Sequence, residues 1–140
     1  MTSEAPNPSH TRDGQKCPFC DVAEGRVVWA SRTAVALLDV FPVSEGHTLV
    51  VPRRHVESVF ELGVEELASL WELVATTRRE LTVRLSPDGF TVGVNDGEAA
   101  GQTVEHAHVH VIPRFKGDVE DPRGGVRWVR PDRAAYWDKE

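Results

Sequence analysis

Val104-Glu105-His106-Ala107-His108-Val109-His110-Val111-Ile112 is the stretch on which the reading of this chain turns. Polar and apolar residues alternate along it, which is the period of a strand with one face in the core. On such a strand His106, His108 and His110 share one face, with neighbours roughly 6–7 Å apart. Ala107, Val109 and Val111 point the other way, into the core. Three imidazoles in a row are poor packing material. Left to themselves they read as a solvated face or a satisfied hydrogen-bonded cluster. What precedes them argues for chemistry instead. Gly101-Gln102-Thr103 joins the strand directly. A glycine-bearing loop can expose backbone N–H groups to anionic oxygens, and a Thr hydroxyl and Gln amide add donors. A neutral imidazole with one nitrogen hydrogen-bonded and the other free is a good nucleophile. Charge developing on a transferred phosphoryl group needs preorganised donors. A donor cluster covalently linked to a histidine row is therefore what group transfer through histidine requires.

The rest of the chain supplies a fold for this strand. Short apolar runs bounded by Gly and Pro predict further strands near 27–29, 34–40, 47–51 and 90–94, with Pro52 and Pro113 ending two of the five. Val64, Leu67, Ala68, Leu70, Trp71, Val74 and Ala75 recur at three and four residues. That spacing predicts one main helix over 64–83, with Gly63 as N-cap and a turn at Ser86-Pro87-Asp88-Gly89. Glu65 and Glu66 in its first turn and Arg84 late suit the helix dipole. One helix with about five strands in hairpin order implies an α+β fold with an antiparallel sheet. Residues 1–15 read as a flexible polar tail and 16–140 as a single domain. Its last part, 117–133, reads as an extended C-terminal arm docked by Val126, Trp128 and Val129.

Composition bounds the function. The 140 residues are 40% hydrophobic and 27% charged, the balance of a globular domain with one core. Two cysteines exclude a disulfide-stapled scaffold. No apolar run spans a membrane and 1–15 lacks the apolar segment of a signal peptide, so a cytoplasmic setting without membrane contact is expected. Sixteen basic against 22 acidic residues give a net charge of −6. That balance argues against binding long nucleic acid, but not against a small phosphorylated ligand.

The alternating row, with Asn95-Asp96-Gly97 and Gly101-Gln102-Thr103-Val104 before it and Gly46-His47-Thr48-Leu49-Val50-Val51-Pro52 earlier, resembles the histidine triad (HIT) signature. The likeness runs from about residue 17 to 115. It implies the HIT fold, a homodimer, and cleavage of nucleotides at the α-phosphate through a covalent nucleotidyl-histidine. By that resemblance His108 is the nucleophile, His110 contacts the α-phosphate, and His106 supports the site or ligates metal. Gln102 and Thr103 contact phosphate with the Gly101 loop, and Asn95 faces ribose or phosphate. His47 sits in the substrate site as a supporting histidine, Asp39 meets the ribose hydroxyls, and Phe41 or Leu38 faces the base. From the residues alone, Asp39 also reads as a strand-end turn, Asn95 as an Asn-Asp-Gly turn and His47 as a cap after Gly46.

Cys17-Pro18-Phe19-Cys20 is a CxxC, which alone fits either redox or metal chemistry. Some HIT proteins hold a structural zinc through CxxC, a later histidine and the first triad histidine. Here those would be Cys17, Cys20, His55 and His106, with His47 as the alternative third ligand and no organic cofactor. The residues after Gly101 and the Pro113-Arg114 pair look closest to dinucleoside polyphosphate hydrolases. Arg53, Arg54 and the 122–128 arm then suggest guanidinium groups near the phosphates. A nucleoside phosphoramidate hydrolase uses the same residues. A nucleotide-binding sensor would instead show an apolar patch around Trp128 and Trp137.

Overall fold

A computed structural model describes residues 16–22 and 24–138. The tail predicted over 1–15 lies outside the described residues. Five strands form one antiparallel sheet: β1 (Val27–Ala30), β2 (Ala34–Leu38), β3 (Thr48–Pro52), β4 (Gly89–Gly93) and β5 (Val109–Arg114), in the order β1-β2-β3-β5-β4. The main helix, α1 (Val64–Leu85), runs two residues past the predicted end before Ser86 takes a left-handed cap at φ 48°. Its N-terminus is as the charge pattern predicts, with Gly63 as N-cap accepting from the Leu67 N–H at 2.9 Å. Among the described residues no helix is long and apolar enough to cross a membrane.

The two faces of the sheet do different work. One packs on α1 through Ala34, Ala36, Val50, Val109 and Val111 against Leu70, Leu73, Val74 and Leu81. The other carries Val35, Leu37, Leu49 and Val51 beneath Cys17 and Phe19. The α1 face is the core proper, and the opposite face is where the site lies. Gly46 makes the turn into β3 at φ 85°, and a Cβ there would sit 2.5 Å from Leu85 Cδ1. A side chain would be both strained and in the way of the helix end.

Three expectations need correction. The ladder of β5 begins at Val109, not at 104. Before it, the Ala107 N–H is given to Val56 O at 2.8 Å, in the segment after β3 rather than in a strand. The face alternation survives, since Ala107, Val109 and Val111 are all in the core. Pro52 is the last residue of β3, as expected, but Pro113 lies inside β5, which runs on to Arg114. Pro113 falls beyond the β3–β5 ladder, which ends at Val111, so its missing N–H breaks no bond there. Finally, the C-terminal arm is not extended. It folds into short helical turns over Gly125–Val129, Pro131–Ala134 and Tyr136–Asp138. Val126 and Val129 point outward, 65% and 79% exposed, while the Trp128 indole donates to Arg123 O at 2.7 Å. The arm is held by its own polar contacts more than by docked apolar groups.

Candidate active site

On the sheet face opposite α1 a cavity of about 430 Å³ opens between β1, β2, β3 and the start of β5. His108 and His110 form its floor, Asn95, Gly101 and Thr103 one end, and Pro18, Phe19, Arg26, Asp39 and Phe41 the other. The size suits a nucleotide-scale ligand.

The ring nitrogens are assigned by their partners. His108 Nδ1 lies 2.8 Å from His106 O. A carbonyl only accepts, so Nδ1 carries the proton and Nε2 keeps its lone pair. His47 is buried behind His110 and its Nδ1 accepts the Val43 N–H at 3.2 Å. Its Nε2 therefore carries the proton and donates to His110 Nδ1 at 2.9 Å. His110 in turn is left with its proton on Nε2. The row thus offers a bare nitrogen at His108 and an N–H donor at His110, with ring centroids 5.1 Å apart.

Burial keeps His110 neutral. It pushes the pKa down to about 4, helped by the neighbouring His108 and His47 and opposed by Asp39. His47 is also lowered by burial, against the Asp39 carboxylate, whose Oδ2 lies 3.5 Å from Nε2. Asp39, His47 and His110 are close enough to suggest a second metal site. The Val43 N–H argues otherwise, because it takes up His47 Nδ1 and so holds the proton on the nitrogen that would have to ligate.

Cys17, Cys20, His55 and His106 bring four ligand atoms within 4.8 Å of one another. His106 Nδ1 lies 3.5 Å from each sulfur and 3.2 Å from His55 Nδ1, and Cys20 Sγ is 3.0 Å from His55 Nδ1. Tetrahedral Zn²⁺ with bonds of 2.0–2.3 Å has ligand edges of about 3.3–3.8 Å, so these four distances lie at or within about half an ångström of what such an ion needs. His106 Nε2 donates to Pro52 O at 2.7 Å, which leaves Nδ1 free to ligate and orients the ring. Burial, then the adjacent Cys17 thiol, pushes Cys20 up to about 12. A divalent ion in place of the protons would relieve that. His55 occupies the third-ligand position, and His47 is committed to His110.

Other sequence candidates fall differently. Gln102 does not offer its amide to the cavity. Its Nε2 donates to Glu57 O and Val104 O at 2.8 and 2.9 Å, and its Oε1 accepts from Gly97 N. The N–H groups of Ala100, Gly101 and Gln102 also close the loop on itself. Thr103 is the loop donor left facing the cavity. Asp39 lines the cavity and accepts from its own turn at Phe41 N, 2.9 Å, as the turn reading expects. Phe41 stands at the rim, 84% exposed, and Leu38 is not part of the lining. His47 is buried behind His110 and does not line the cavity. The predicted arginines are elsewhere: Arg53 donates to Ser31 O, Arg54 pairs with Glu66, Arg123 with Asp121, and Arg127 donates to Ala134 O.

Among the lining residues that the sequence did not point to, two matter for the site. Phe19 lies between the two cysteines and meets the His108 ring edge-on at 5.1 Å. The CxxC spacing holds the signal for it, since a metal knuckle fixes the residues between its ligands. Arg26 has no motif around it.

Residues 21–117 match the HIT domain family. An uncharacterized HIT-like protein of Methanocaldococcus jannaschii is 40% identical over 108 residues, 74% of this chain and 83% of that protein. The bis(5'-adenosyl)-triphosphatase of Dictyostelium discoideum is 37% identical over 100 residues, 71% of this chain and 67% of that protein. The crystal structure of a HIT family protein from Bacillus subtilis matches with a TM-score of 0.69 at 34% identity, covering 74% of this chain and 77% of that one.

Proposed function

Because the chain belongs to the HIT family, we propose that it hydrolyses dinucleoside polyphosphates, such as diadenosine tetraphosphate, at the α-phosphate through a nucleotidyl-His108 intermediate. The observation that carries the reading is the opposed pair of tautomers: a bare Nε2 on His108 beside an Nε2–H on His110. In the first step the His108 lone pair forms a bond to the α-phosphorus. The bond to the bridging oxygen breaks, and its electron pair leaves with the remaining nucleotide. In the second, water attacks phosphorus, the P–N bond breaks back to His108, and the nucleoside monophosphate departs with loss of a proton. His110 Nε2–H and the Thr103 hydroxyl donate to the non-bridging oxygens. Asp39 accepts from the ribose hydroxyls, and Asn95 steadies the phosphate end. Gln102 acts by bracing the loop.

Zinc at Cys17, Cys20, His55 and His106 would be structural, closing the four-ligand set and bracing the chain on which His108 stands. A homodimer fits the open outer edge of β4, and light scattering on the purified protein tests it. The activity is tested by incubating the protein with diadenosine tetraphosphate and following AMP release. His108→Asn should abolish turnover while AMP still binds, and near-normal turnover in that variant would refute the assignment.

Phosphoramidate hydrolysis is favoured by one observation. Among the described residues, no Lys or Arg lines the end of the cavity at Asn95, Gly101 and Thr103. Beyond it, an adjoining cavity shares Gly101 and Thr103 and is lined by Glu57, Glu98 and Glu105. That setting suits an amine leaving group better than a bare polyphosphate. Parallel turnover of adenosine phosphoramidate and diadenosine tetraphosphate decides between them.

A further inference from the structure

Arg26 is the one cation among the described residues that line the cavity. It stands at the end away from the phosphate site. The sheet order places His110 on β5, then β3, then β2 ending next to Asp39, then β1, which Arg26 directly precedes. Three strand spacings, about 14 Å, separate the first from the last. A nucleotide with phosphate at His108 and ribose at Asp39 therefore carries its base toward Arg26.

The side chain is anchored but unspent. One Nη2 hydrogen is given to Leu38 O at 3.0 Å. No carboxylate pairs with the guanidinium among the described residues; Nε is buried and closed to a ligand, which leaves the two Nη1 hydrogens and the second Nη2 hydrogen to face one. A guanidinium carries five N–H donors and accepts nothing. The anchor limits its freedom, so the remaining donors form a fork of defined direction in a mostly apolar pocket, beside Pro18, Phe19 and Phe41.

Such a fork discriminates between bases. Guanine presents two adjacent acceptors, O6 and N7, and Arg meets them bidentately. Adenine presents N7 beside an amino donor, which sets donor against donor. We propose that Arg26 reads the base and selects guanine over adenine nucleotides at this site. The inference rests on the nucleotide reading above and names which nucleotide that site takes.

Calorimetric titration of the metal-loaded protein with GMP and with AMP tests it. Both are products rather than substrates, so turnover does not intrude. GMP should bind about tenfold or more tightly than AMP, the lower part of what one bidentate base contact supplies. Arg26→Met should bring GMP to the AMP level while AMP affinity moves less than about threefold. Arg26→Lys, a point donor without a fork, should fall between. Equal affinities in the unaltered protein would overturn the proposal and leave the nucleotide site standing. So would an Arg26→Met variant that weakens both ligands alike, which would mark Arg26 as a stacking or phosphate contact. Binding of neither nucleotide would sink the nucleotide reading and this inference with it.

Discussion

His47 touches no substrate position, yet its removal should be felt in catalysis. In His47→Ala the Nε2–H that holds His110 Nδ1 at 2.9 Å is lost, and the Val43 N–H loses its acceptor. A hydrogen bond of this kind contributes about 1 kcal/mol net, and a buried N–H left unsatisfied costs about 1–3 kcal/mol. With the space vacated by a ring only 3% exposed, the fold should lose about 2–4 kcal/mol. The catalytic share is the part lost in positioning the His110 donor. At about 1.4 kcal/mol per decade, kcat should fall about tenfold with little change in KM. His47→Gln distinguishes positioning from packing, because its Oε1 can accept from Val43 and its Nε2 donate to His110. That variant should recover most of kcat. Nitrogen-15 correlation spectra of the ring nitrogens give an independent readout. In the unaltered protein they should show His110 with its proton on Nε2, and in His47→Ala a mixture of tautomers. A folded His47→Ala protein with kcat within threefold of normal, or a His110 proton on Nδ1 before any mutation, would refute the reasoning.

Other outcomes follow from the same geometry. The pKa of His110 is about 4 in the fold and about 6.5 unfolded, so between those values the unfolded chain binds more protons, and stability rises with pH and is lost as the pH drops. From pH 7 to 5 this costs about 2 kcal/mol, measured by urea unfolding. His110→Asn should remove that part of the slope, and an unchanged slope would show that His110 does not supply it. Cys20→Ser should lower bound zinc well below one equivalent by mass spectrometry and reduce the melting temperature by about 10 °C. It should also slow turnover, because Phe19 would no longer be pinned against His108; full activity without metal would contradict this. Gly46→Ala should destabilise by about 1–2 kcal/mol, since it strains φ and displaces Leu85, and an unchanged denaturation midpoint would count against both. Ser86→Gly, at a left-handed cap, should stabilise by about 0.5–1 kcal/mol in the same assay.

The parts of this molecule legible in its sequence are those where a period or a spacing is imposed by one partner. The helix over Val64–Leu85 shows because its apolar side meets one sheet face. The candidate metal set comes from the family resemblance rather than from the CxxC alone, and the fold brings Cys17, Cys20, His55 and His106 within 4.8 Å of one another. What did not show is where polar side chains end up once several partners compete. Gln102 reads as a phosphate donor, but the carbonyls of Glu57 and Val104 and the Gly97 N–H already engage its amide. Arg53 and Arg54 looked like phosphate clamps, yet Ser31 O and Glu66 claim them. Arg26 carried no pattern at all, because its position comes from β1 lying at the far edge of the sheet, a fact of topology.

The histidine row shows how much the backbone adds to such a reading. His106, His108 and His110 are the same residue at the same spacing, yet each presents a different valence. His106 gives its Nε2–H to Pro52 O and turns a bare Nδ1 toward the metal cluster. His108 gives its Nδ1–H to His106 O and turns a bare Nε2 toward the cavity. His110 accepts the His47 Nε2–H on its Nδ1 and turns an N–H outward instead. The proposed roles of ligand, nucleophile and donor would thus be set by one carbonyl, another carbonyl and a buried ring. The carbonyl of His106 links the first two roles directly, since a metal that fixes His106 also fixes the acceptor that selects the His108 tautomer. Loss of the metal should therefore reach the nucleophile by two routes, through Phe19 packing and through the His106 carbonyl, though neither sulfur comes near the reacting phosphorus.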